Sequence, residues 1–128
     1  MKKVLIVDDQ DTIRKMLRLT LSGRYELFEA ADAGEAWEAL RRVRPDAVIL
    51  DIMMPGEMDG YQICEKLRGE REMRNIHVVM VTARGQDADR QKGMAVGADA
   101  YFVKPFSPLA LARHLETAFA DQTGGARK

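Results

Sequence analysis

Apolar residues come in short bursts along this chain, and stretches of helical spacing separate the bursts. The runs Val4-Leu5-Ile6-Val7, Ala47-Val48-Ile49-Leu50, Val78-Val79-Met80-Val81 and Tyr101-Phe102-Val103 are continuous and rich in valine and isoleucine. Runs of this kind predict strands buried on both faces. The segment 25–30 alternates instead, as an edge strand does. Between these strands, Ile13, Met16, Leu17 and Thr20 share one helical stripe, with Asp11 placed to cap it. Ala36, Trp37 and Leu40 follow Gly34, and Ile63, Cys64 and Leu67 follow Gly60. Leu111, Leu115, Ala118 and Phe119 form the last stripe, with Ser107 as N-cap and Pro108 at the first helical position. A helix over 87–96 lies between Gly85 and Gly97 and has few large apolar anchors. Gly93 inside it costs about 1 kcal/mol relative to alanine, so this helix is expected to be among the least stable. Strand–helix alternation from end to end predicts an α/β fold: a doubly wound parallel sheet with right-handed crossovers and helices on both faces.

Composition narrows the class without changing that picture. A chain of 128 residues with 46% apolar side chains suits one core, expected over 1–121. Residues 122–128, ending in Gly124-Gly125-Ala126-Arg127-Lys128, read as an unpacked tail or the start of a linker. Basic and acidic residues number 20 each, so nothing in the charge balance points to nucleic acid or an anionic membrane. A single cysteine, Cys64, permits no internal disulfide and fits a reducing, cytoplasmic setting. After Met1-Lys2-Lys3 only four apolar residues follow, too few for a signal peptide or a membrane span.

The chemistry gathers at the strand ends. Asp8 and Asp9 follow the first apolar run, Asp51 the third strand, Thr82 the fourth and Lys104 the fifth. In an open parallel sheet, ligands bind outside the carboxyl ends of the strands, where strand order reverses. Three carboxylates brought together repel and raise one another's pKa, and a hard divalent cation removes the conflict. Oxygen ligands suit Mg²⁺. Shielded in this way, Asp51 is placed to attack a phosphoryl group, while Lys104 neutralises a phosphoryl oxygen and Thr82 donates a hydrogen bond to it.

Four stretches carry a family resemblance: Val4-Leu5-Ile6-Val7-Asp8-Asp9, Pro45-Asp46-Ala47-Val48-Ile49-Leu50-Asp51-Ile52-Met53-Met54-Pro55, Met80-Val81-Thr82-Ala83, and Gly97-Ala98-Asp99-Ala100-Tyr101-Phe102-Val103-Lys104-Pro105-Phe106. Any one alone is weak, but all four in this order resemble the CheY-like receiver domain of bacterial response regulators. The resemblance implies a flavodoxin-like sheet of order 2-1-3-4-5 with five helices. It also implies Mg²⁺-dependent transfer of a phosphoryl group from a histidine of a sensor kinase, or of a phosphotransfer protein, to Asp51. Metal ligation would fall to Asp8, Asp9, Asp51 and the backbone carbonyl of Met53, with the aspartates acting directly or through water. Thr82 and Tyr101 would be the switch pair. The output face would comprise the helix after Thr82, the strand at Tyr101 and the last helix, read by a downstream target or an output domain. The Lys104–Pro105 peptide would be cis. Such a chain is a phosphoacceptor switch, not a turnover enzyme, and whether it stands alone or belongs to a longer regulator stays open. One departure stands beside the acceptor. The family's Met-Pro-x-Met-Asp-Gly loop reads Met54-Pro55-Gly56-Glu57-Met58-Asp59-Gly60 here, one residue longer.

Plainer readings compete at each position. Thr82 alone would be a turn hydroxyl, Lys104 alone a solvated charge, and Tyr101 a packing aromatic. His77 and His114 join no metal-ligand spacing and read as structural or exposed, and Cys64 as a core thiol. Among rival functions, an aspartyl-nucleophile phosphatase of the haloacid dehalogenase class wants a second Asp where Met53 stands. A flavodoxin wants Ser, Thr and Gly where the chain has Asp8-Asp9-Gln10-Asp11, and no Gly-x-x-x-x-Gly-Lys loop exists for a nucleoside triphosphatase. A docking module without phosphorylation would not need all five site residues.

Overall fold

Strands and helices alternate without exception: β1 (Lys3–Val7), α1 (Asp11–Leu21), β2 (Glu26–Ala30), α2 (Ala33–Val43), β3 (Ala47–Asp51), α3 (Gly60–Arg68), β4 (His77–Thr82), α4 (Asp87–Ala95), β5 (Ala100–Val103) and α5 (Pro108–Thr123). This computed structural model describes residues 1–83 and 85–123. All strand pairs are parallel, in the order β2-β1-β3-β4-β5. The remainder of the expected tail, 124–128, lies outside the described residues.

Side chains that alternate along each strand divide the core into two. Leu5, Val7, Val48, Leu50, Val78 and Met80 face one layer with Ala36, Leu40, Ile63 and Leu67 from α2 and α3. Val4, Ile6, Ala47, Ile49, Val79 and Val81 face the other, with Leu17, Leu21, Leu111 and Leu115 from α1 and α5. The three central strands are therefore buried on both sides, which is why they read as unbroken apolar runs. Edge strand β2 is partly exposed, and Tyr25 just before it packs its ring against Phe119 at 5.4 Å.

Helix starts follow local chemistry. Asp32 caps α2 by accepting from the Glu35 amide at 2.8 Å. Asp59 and Gln62 form a reciprocal capping box on α3. At α5 the expectation holds, with Pro108 first in the helix and Ser107 Oγ accepting from the Ala110 amide at 3.1 Å. The expected cap of α1 does not: Gln10 is the N-cap and makes no side-chain cap bond. Asp11 is already helical and pairs with Arg14, while Asp8 holds the Gln10 amide at 2.9 Å.

The longer loop after β3 folds back on α2. Gly56 takes φ +120°, a left-handed conformation that favours glycine, and a Cβ there would lie 3.0 Å from Ala33 Cβ. The extra residue is thus taken up between Pro55 and Asp59, and β3 keeps its register.

Candidate functional site

Parallel register delivers the polar residues to one edge. Val7 pairs with Leu50, Asp51 with Val81 and Thr82 with Val103, so Asp8, Asp51, Thr82 and Lys104 emerge side by side. Among the described residues Asp8, Asp51 and Thr82 are the buried polar or charged side chains, at 2%, 3% and 0% exposure. Such burial calls for compensation. Asp8 Oδ1 accepts from the Gln10 amide, which leaves Oδ2 2.9 Å from Lys104 Nζ. The same ammonium lies 3.7 Å from Asp51 Oδ2 and donates to Gln10 Oε1 at 3.2 Å. Asp51 Oδ1 accepts from the Met53 amide at 3.2 Å.

One lysine faces more negative charge than it balances. Asp8, Asp9 and Asp51 each offer a carboxylate oxygen, and these oxygens lie within 4.8 Å of one another. Burial pushes the Asp51 carboxyl up to about 6, and Asp8 pushes the same way. Lys104 and the Met53 amide oppose that rise, and Asp9 adds a smaller upward push. Hard oxygen donors, a net negative pocket and an acid held above its usual range fit a divalent cation of the Mg²⁺ kind.

Thr82 and Tyr101, the expected switch pair, share one side of the sheet. Thr82 lies two residues beyond Met80, which pairs with Tyr101, so alternation puts Thr82 and Tyr101 toward the α4 side. Tyr101 is buried, with its ring against Gly93 and the Arg90 guanidinium 5.1 Å from its centroid. Burial, then a hydrogen bond with Tyr61, raises the Tyr101 phenol far above its usual range. Helix α4 buries only Gly93. It is held by Lys92 over the Tyr61 ring at 4.6 Å and by the Tyr61 hydroxyl donating to the Asp89 carbonyl at 3.1 Å.

Several contacts were hidden from sequence reasoning. Gly60, first in α3, packs on the backbone that follows β3: a Cβ there would lie 2.7 Å from the Asp51 carbonyl oxygen and 2.7 Å from Ile52 Cα. Neither atom can yield. We expect Gly60→Ala to destabilise the fold by about 2–3 kcal/mol, read as the shift in urea midpoint. A midpoint within experimental error of the wild type would show that the loop yields. Arg68 is a second such residue. Its guanidinium donates to the carbonyls of Gly97, Arg74 and Ile76 and to Asp99, tying α3 to the loops flanking β4 and β5. His77 and His114, 37 residues apart, meet with their Nε2 atoms 2.8 Å apart. Cys64 is fully buried and its thiol is pushed up to about 11, chiefly by burial, which suits a core thiol. Lys104–Pro105 is cis, as the resemblance implies.

Fold and pocket together place an acidic cluster at the switch point of a flavodoxin-like sheet. The family described as response regulator receiver domain matches residues 4–116, and this chain belongs to that family. It is similar to a probable transcriptional regulator ycf27 of Cyanophora paradoxa, with 47% identity over 112 residues, covering 86% of this chain and 45% of that protein. Transcriptional regulatory protein SrrA of Staphylococcus aureus is 42% identical over 107 residues, 83% of this chain and 43% of its own length. The chain thus spans less than half the length of these curated relatives. Among solved structures, the chemotaxis protein CheY4 of Vibrio cholerae superposes with a TM-score of 0.83 at 36% identity, covering 91% of this chain and 98% of that one. As a receiver domain the chain works in phosphorylation-based two-component signalling. No helix among the described residues is long and apolar enough to cross a membrane.

Proposed function

We propose that this receiver accepts a phosphoryl group on Asp51 from a phosphohistidine of a sensor kinase or phosphotransfer protein. The observation that carries the proposal is the buried Asp51 carboxylate, flanked by Asp8 and Asp9 and faced by Lys104 Nζ. Mg²⁺ held by Asp8, Asp9, Asp51 and the Met53 carbonyl would supply positive charge against the carboxylates and the incoming phosphoryl oxygens. An Asp51 oxygen attacks phosphorus, the bond from phosphorus to the histidine nitrogen breaks, and the imidazole leaves with its electron pair and is protonated. Lys104 neutralises charge spread over the phosphoryl oxygens, and the Thr82 hydroxyl donates to one of them. An apolar cleft of about 380 Å³, lined by Ile13, Met16, Pro105 and Phe106 together with Gln10 and Lys104, offers the donor protein a surface beside the pocket. Incubation with a labelled small acyl phosphate tests the proposal. Label is expected with Mg²⁺ and absent with chelator, and equal labelling in both overturns the metal requirement.

The new charge at Asp51 would draw Lys104 and Thr82 toward it and bias α4, β5 and α5 between two arrangements read by a target or output domain. Few buried anchors make α4 the element most easily shifted. Hydrogen exchange with and without an acyl-phosphate mimic should change over 87–106, and Thr82→Ala should accept phosphate yet leave that protection unchanged. Changes confined to the loops touching Asp51 would place the output face elsewhere.

A further inference from the structure

We propose that His77 and His114 form a bidentate site for a transition-metal cation of the zinc, nickel or copper class, separate from the acidic pocket. His77 opens β4, whereas Thr82 closes it at the acidic pocket, so the two sites lie roughly 16 Å apart along the strand. The Nε2 atoms of the pair are 2.8 Å apart and the ring centroids 4.9 Å apart. Two imidazole nitrogens bound to one cation at about 2.0–2.1 Å stand about 2.9 Å apart at a right angle and about 3.3 Å apart at a tetrahedral one. The rings therefore need to part by at most about half an ångström.

Surroundings of the pair have the features of a ligating histidine shell. His77 Nδ1 lies 3.6 Å from Asp99 Oδ2. That carboxylate is itself fixed by the Val78 amide at 2.8 Å and by Arg68 Nη2 at 2.9 Å. Asp99 near Nδ1 favours the proton on that atom of His77, and the 2.8 Å Nε2 contact is a hydrogen bond whose one proton, on an Nε2, a bound cation displaces. Asp99 also offsets the positive charge of Arg68, the cation nearest to it in this shell. Burial lowers the His114 pKa, with Asp99 opposing, and so favours the neutral ring a metal requires. Phe102 packs edge-on against His114 with centroids 5.9 Å apart, which steadies the ring. Both histidines line a polar cavity of about 400 Å³ with Arg74, Asn75 and Thr117, which leaves room for water to complete the coordination. Imidazole donors select this class of cation over Mg²⁺, which prefers oxygen. Since His77 is on β4 and His114 on α5, a bound ion ties the helix to the start of the strand.

Calorimetric titration of the untagged protein with zinc chloride and with nickel chloride, in saturating Mg²⁺, tests the site. One equivalent should bind and raise the melting temperature. His77→Gln and His114→Gln should each weaken binding about tenfold or more, and Asp99→Asn about tenfold. Nickel-induced broadening of wild-type amide resonances gives a readout that depends on no variant. It should centre on residues 77 and 114 and spare the loop after Asp51. Absence of binding, unchanged affinity in both histidine variants, or broadening centred on the acidic pocket overturns the proposal.

Discussion

Asp51→Asn is expected to abolish phosphoryl acceptance and, at neutral pH without divalent cation, to stabilise the fold. The change is nearly isosteric and removes the nucleophilic charge. The stability effect follows from proton linkage. Asp51 titrates near 6 in the folded chain, above the roughly 3.9 of an unfolded aspartate. Between those values the folded state binds more protons than the unfolded one, so this group's contribution to stability falls as pH rises from about 4 to about 6. Above that range the ionised, buried carboxylate costs about 1–3 kcal/mol, and asparagine lacks the charge. The stabilisation should therefore be absent near pH 4, grow through pH 5 and level off above pH 6 to 7, as read by urea melts across pH. Excess Mg²⁺ should shrink it, because the cation relieves the same repulsion in the wild type. A constant offset at all pH values would mean that the charge of Asp51 is not the cause.

Lys104→Met should separate two roles of one ammonium, with effects of opposite sign. Its Nζ contacts Asp8 at 2.9 Å and Asp51 at 3.7 Å, so it competes with a cation for both carboxylates. Without it, Mg²⁺ should bind more tightly. Phosphoryl acceptance should nevertheless slow about 100- to 1,000-fold, the loss typical when a preorganised group facing developing charge is removed. Lys104 also holds the Asp51 pKa down, so the variant's pH dependence should move to higher pH. Mg²⁺ titrations and single-turnover labelling read the two effects separately. Weaker Mg²⁺ binding together with slower labelling would make Lys104 a structural support of the metal site.

Much of the fold was legible because the central strands are buried on both faces, and that burial writes itself as unbroken runs such as Ala47-Val48-Ile49-Leu50. The acidic site was legible for a related reason. A parallel register lines up strand ends, so polar residues that follow apolar runs converge without long-range information. Contacts made by backbone or by residues far apart in sequence leave no such periodic trace. Gly60 looked like an ordinary helix start, yet its missing Cβ lets α3 rest on the Asp51 backbone. Gln10 reaches Lys104 across 94 residues, and Arg68 finds its carbonyls in loops with no apolar pattern. The N-cap of α1 is Gln10, one residue before the expected Asp11, because Asp8 holds the Gln10 amide in a local turn while Asp11 pairs with Arg14 inside the first helical turn. Tyr101 could be read as packing or as a switch. Its buried ring beside Gly93 serves packing in this arrangement, and α4 has little else to hold it there.

Locating the phosphoryl group decides whether Asp51 is the residue that accepts it. Wild-type protein incubated with a small acyl phosphate and Mg²⁺ can be digested and its peptides mapped by tandem mass spectrometry, before and after hydroxylamine. A hydroxylamine-sensitive phosphoryl group is expected on the peptide carrying Asp51, formed only when Mg²⁺ is present. A phosphoryl group on any other residue, or one that survives hydroxylamine, would contradict that role of Asp51.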